Sequence, residues 1–199
     1  MCTSAETAGG TTRTPRRHLP GDLAMWFFIL AELSVFAILI LTFAVTQQLK
    51  PQLFSDSRQW LDRSTGLAMT LSLLGAGLLA ALAQERVRQA RPRQAAALLL
   101  AALLVATVYL LLKLDEYRHL LGLGLDLAHN TFFTLYWILS GFHFLHVLLG
   151  MLILAWLARG CLCGRHGADN PSGFESGVLY WHMVDLVWVL LFPLVYALD

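Results

Sequence analysis

Charge is what this 199-residue chain has least of. Asp, Glu, Lys and Arg make up 14% of it, against about 25% in an ordinary soluble domain. The few charges gather between long apolar runs. The net charge of +1 says nothing about nucleic acid, but no stripe of Lys and Arg interleaves with aromatics, so no nucleic-acid partner is expected. Cysteine is also scarce: Cys2, Cys161 and Cys163 cannot build a disulfide framework, and Cys161-Leu162-Cys163 is a weak metal or redox motif. The sequence holds no phosphate-cradling loop, dinucleotide fingerprint or nucleophile–base pair, so it offers no catalytic residue. Nor does a short apolar stretch with a small-residue cleavage site open the chain, so residues 1–19 read as a disordered polar tail and not as a signal peptide.

Apolar residues fill the space that charge leaves. They are 57% of the chain, and mean hydropathy is +0.63. Five runs, at about 24–46, 65–84, 94–114, 131–157 and 177–198, are long enough to cross a membrane. About 20 residues at 1.5 Å each span the hydrocarbon core. The expected fold is all-α: an integral membrane bundle of five transmembrane helices formed by residues 20–199. Pro20-Gly21-Asp22 ends the tail, with Asp22 placed to cap the first span, and Asn130 or Thr131 to cap the fourth. The second span carries Gly66, Ser72, Gly75, Gly77 and Ala80, small residues that let helices approach closely. Residues 47–64 read as a loop, and 115–130 as a Gly-rich connector at the membrane interface. Pro193 should bend the last turn. The six tryptophans, Trp26, Trp60, Trp137, Trp156, Trp181 and Trp188, read mostly as interface anchors. Nine of the fourteen Lys and Arg fall on the side of the N-terminus, and Lys50, Arg58, Arg63, Lys113 and Arg118 on the other. The positive-inside rule then places the N-terminus in the cytoplasm and the C-terminus in the periplasm.

Polar groups inside the spans are costly and mark sites that face other helices. His143 and His146, three apart in the fourth run, share a helix face, as do His182 and Asp185 in the fifth. Glu32 lies in the first run at a depth similar to Asp185 and His146. Two readings of the histidines stand: ligands for a metal or haem, or an interhelical hydrogen-bond network of Glu32, His143, His146, His182 and Asp185. Glu32 is likewise either a proton relay or a carboxyl that ties two helices together. No complete metal-ligand set is evident, so no metal is assigned.

Gly141-Phe142-His143-Phe144-Leu145-His146-Val147 with Gly150, then Trp181-His182-Met183-Val184-Asp185-Leu186-Val187-Trp188, resemble the last two helices of subunit III of the haem-copper oxidases. The first span is similar to the family helix that carries a buried carboxylate, here Glu32, and Asp115-Glu116-Tyr117 matches the acidic-tyrosine end of a long helix. The resemblance runs over about residues 20–198. It implies a non-catalytic accessory subunit in a bacterial inner membrane, supporting assembly, stability and turnover of a respiratory oxidoreductase. It places haem and metal in the partner catalytic subunit and no redox cofactor in this chain, and it allows a bound phospholipid. The seven-helix members have two further N-terminal helices that form one arm of a lipid-filled cleft, and this chain lacks them. Leu19-Pro20-Gly21-Asp22 leading to Trp26-Phe27-Phe28-Ile29, and the segment with Leu53-Phe54 and Ser55, look most like NorE, the five-helix type linked to nitric oxide reductase. Alternatives are subunit III of a quinol or cytochrome c oxidase and, from another class, a free-standing membrane haem or metal enzyme using the histidines.

Overall fold

Each apolar run becomes one helix in the computed structural model of the chain, which describes residues 23–163 and 172–197. The elements are α1 (Leu23–Leu49), α2 (Pro51–Arg58), α3 (Arg63–Arg88), α4 (Pro92–Gly122), α5 (Thr131–Leu162) and α6 (Ser172–Phe192), closed by a π-helical turn, Pro193–Ala197. No strand occurs among the described residues. Five of the helices are long and apolar enough to cross a membrane. The expected tail, the Asp22 cap, Cys2 and the segment 164–171 with Arg165 lie outside the described residues.

Helices α3, α4, α5 and α6 pack as a ring, each against the next and α6 back against α3, while α1 lies outside on α5 and α6. The α3–α4 contact is the most extensive, and its seam explains why. Ala76, Ala80 and Ala83 on α3 meet Ala95, Ala96, Ala102 and Ala106 on α4, all fully buried. Lipid tails are as apolar as leucine, so membrane helices associate through close packing, which small side chains permit. Among the described side chains of α1, only Ile29, Phe36 and Phe43 are buried, at intervals of seven residues. That spacing leaves one narrow seam on the bundle and an apolar remainder.

Three expectations are corrected. First, 47–64 is not all loop. Pro51 opens α2, where its missing N–H costs nothing, and Phe54 fills a fully buried site against Phe43 and Phe132. Second, α4 runs on to Gly122, well past 114, because Lys113 and the acidic-tyrosine motif are paired inside the bundle. The connector shrinks to 123–130, and Asn130 accepts from Phe133 N–H to cap α5. Third, Trp181 and Trp188 are not interface anchors but core residues, fully buried. Pro193 does end the regular helix, as its ring requires.

Candidate functional site

The five polar residues singled out within the spans do not form one network. They occupy three separate places. On the α1–α5 seam, His146 Nε2 and Glu32 Oε2 share a hydrogen bond of 3.0 Å, and His146 Nδ1 lies 2.8 Å from the Phe142 carbonyl. A carbonyl only accepts, so Nδ1 carries a proton. The bond between Nε2 and Oε2 then holds one further proton, whichever atom it sits on. Phe36 and Phe142 stand edge-on to the His146 ring.

One turn away His143 faces the interior. It is fully buried, stacked on Trp188 at 5.1 Å between centroids, with Tyr109 and Phe36 edge-on. Neither of its ring nitrogens nor the Tyr109 hydroxyl has a hydrogen-bond partner among the described residues. Trp188 is held from its other end, where Nε1 donates to Thr70 Oγ1 at 2.9 Å. His182 and Asp185 turn to α3, where the Asp185 carboxylate sits against Gly77. The three histidines thus point into three environments, and no three His, Cys, Asp or Glu side chains converge among the described residues.

The densest polar cluster lies elsewhere, at the end of the bundle opposite the N-terminus, and centres on Lys113. This side chain is fully buried. Its ammonium donates to Glu116 Oε1 (3.2 Å), the Tyr136 hydroxyl (3.0 Å) and the Tyr196 hydroxyl (3.0 Å), so all three of its protons are used. Glu116 also accepts from the hydroxyls of Tyr136 and Tyr196. The rings of Tyr117, Tyr136, Trp188 and Tyr196 lie 4.8–5.6 Å from the ammonium, within reach of cation–π attraction. Tyr117 donates to Ser140 Oγ at 3.0 Å. Beneath the cluster Arg58 of α2 donates to the carbonyls of Leu194 and Val195, which the π-helical turn leaves to outside partners.

Of the Asp115-Glu116-Tyr117 motif, Glu116 and Tyr117 join the cluster and Asp115 is exposed. Lys113, Tyr136, Tyr196 and Arg58 were not singled out by the sequence. The available signal was the i, i+3 and i, i+4 spacing of Lys113 to Glu116 and Tyr117, which only a helix continuing past 114 brings together.

With this geometry in view, the comparisons with known proteins are consistent from end to end. The family model described as cytochrome c oxidase subunit III matches residues 3–199. Cytochrome c oxidase subunit 3 of Synechocystis sp. is 28% identical over 185 residues, 91% of this chain and 78% of that protein. A protein of Staphylococcus saprophyticus named "Probable quinol oxidase subunit 3" is 26% identical over 177 residues, 88% of each chain. The heme-copper oxidase subunit I+III of Aeropyrum pernix is 30% identical over 182 residues, which are 87% of this chain and 22% of that much longer one.

Proposed function

The chain belongs to the cytochrome c oxidase subunit III family, and from that premise we propose that it packs beside the catalytic subunit of a respiratory haem-copper-type complex and supports that subunit's assembly and sustained turnover. The observation that carries the reading is the reach of the family match, which takes in residues 3–199. The Aeropyrum pernix relative adds support, since its name joins subunits I and III in one polypeptide. Haem and metal belong, on this reading, to the partner, and the chain sits in a bacterial inner membrane with its N-terminus inside. Glu32 and His146 hold a shared proton on the outer α1 seam, where it ties α1 to α5. Divergence of His143, His146 and His182 speaks against a free-standing enzyme that uses them as one ligand set.

For the partner we propose a nitric oxide reductase. Leu19-Pro20-Gly21-Asp22 ahead of Trp26, and Leu53-Phe54-Ser55, now on α2, support that choice. The names of the relatives favour a second reading, subunit III of a quinol or cytochrome c oxidase. Purification of the tagged chain from native membranes in mild detergent, with mass spectrometry of what accompanies it, separates the two. A nitric oxide reductase catalytic chain supports the first, and an oxidase core moves the chain to the second. A lone protein with a haem absorption band sinks both.

A further inference from the structure

Most polar side chains along the spans are satisfied inside the molecule. Ser34, Thr42 and Thr107 donate to carbonyls four residues back, Tyr117 bonds Ser140, His146 bonds Glu32, and the Lys113 cluster is closed. Tyr109, His143 and Trp181 keep unpaired polar atoms inside the bundle, whereas His182 and Asp185 stand at its outer face. His182 Nδ1 lies 3.7 Å from Asp185 Oδ2, longer than a hydrogen bond. Asp185 is 5% exposed, and its Oδ1 has no partner among the described residues. The His182 side chain is 42% exposed, on an outer face of the bundle. Both line an open groove of about 300 Å³ between α3 and α6, whose walls are Leu74, Gly77, Leu78, Leu186 and Val189. A Cβ at Gly77 would run into the Asp185 carboxylate, so glycine is what lets the acid lie there.

Depth identifies the occupant. Asp185 is twelve residues from either end of the apolar stretch Gly173–Ala197, roughly 18 Å at 1.5 Å per residue. Lipid headgroups do not reach that level, and acyl chains offer neither donor nor acceptor. A side chain on another membrane helix can bring a polar group to His182 and Asp185 at that level. Toward the N-terminal side the groove passes His182 into a second hollow of about 350 Å³ bordered by Gln84, Glu85, Arg88 and Glu175. An apolar middle with a polar border at headgroup height matches the profile of a transmembrane helix.

We propose that the α3–α6 groove seats a transmembrane helix of the catalytic subunit, and that this helix carries a hydrogen-bonding side chain opposite His182 and Asp185. The inference rests on the reading of the chain as an accessory subunit, which supplies the partner. Its test is a photo-crosslinking amino acid placed in the full chain in native membranes, at Leu74 or Leu186 in the groove and at Leu104 or Leu111 on the outer face of α4. The expected result is adducts with a haem-copper-type catalytic chain from the groove positions and none from α4. Two further variants, His182→Ala and Asp185→Asn, should lower the co-purified catalytic chain roughly three- to ten-fold, the range of one membrane hydrogen bond, with the melting temperature of the isolated chain held. Adducts only from α4, or groove adducts only with lipid or a second copy of this chain, overturn the groove assignment while co-purification keeps the accessory reading. Absence of any catalytic chain from both the adducts and the purified material overturns both.

Discussion

Lys113 shows at the scale of one residue how this bundle tolerates charge. A buried ion pair is a weak source of stability, because two desolvation costs offset the attraction, but removal of one partner leaves the other stranded. Lys113→Met strands Glu116 among Tyr136 and Tyr196, and we expect a loss of about 3–5 kcal/mol, read as a lower melting temperature in detergent. Lys113→Met with Glu116→Gln should recover more than half of it, since a neutral amide oxygen still accepts from both tyrosines. Full additivity in that double-mutant cycle would show that the two side chains do not interact. Trp188→Phe isolates a smaller effect. Phenylalanine keeps the stack on His143 but loses the bond to the Thr70 hydroxyl, which still donates to the Gly66 carbonyl, so the lost hydrogen bond and ring volume should cost about 1–3 kcal/mol.

At the scale of elements, the helices are set by their ends and by their closest approaches. Asp62 caps α3, and its carboxyl is held below the ordinary carboxylate range, first by the Thr65 hydroxyl and then by the backbone N–H groups of Ser64 and Thr65. A lowered folded value means that the stabilisation is complete above the unfolded value, about pH 3.9, and is lost as pH falls through the folded one. Thermal scans from pH 6 to pH 3 should therefore show the wild type losing its lead over Asp62→Ala, by a modest amount at so exposed a site. Between α5 and α6 a Cβ on Gly150 would come within 2.9 Å of the Trp181 ring. Because that ring is fully buried and cannot swing away, Gly150→Ala should cost about 1–3 kcal/mol. The five long helices were legible in the sequence because twenty apolar residues in a row have few other uses. The short amphipathic α2 was not, since eight mixed residues carry too little period to register. Depth put Glu32, His146 and Asp185 at one level, but that Glu32 pairs with His146 and not Asp185, and that His143 stands apart, depends on the side from which each side chain leaves its helix. The Lys113 cluster stayed hidden because its members come from 113, 116, 136 and 196, and a lysine at a span end reads as a loop charge.

For the whole molecule, that burial sharpens the expected orientation. The positive-inside rule acts on Lys and Arg in loops near the span ends. On the side opposite the N-terminus, Lys113 is buried inside the bundle and Arg58 is buried against the carbonyls of Leu194 and Val195. Exposed basic charge there comes down to Lys50, Arg63 and Arg118, while Arg86, Arg88, Arg91, Arg93 and Arg159 flank the other side. The N-terminus should therefore face the cytoplasm, which would put the end of α5 there too. Cys163 reports on this directly, being exposed at the C-cap of α5, whereas Cys161 one turn-edge away is buried. With Cys2→Ser to remove the tail thiol, a membrane-impermeant maleimide should leave Cys163 unlabelled in intact cells and modify it in inside-out vesicles. Labelling in intact cells would reverse the orientation. It would then place the Lys113 cluster, and the α2 clamp beneath it, on the cytoplasmic side of the partner complex, leaving the pairings within the bundle as they are.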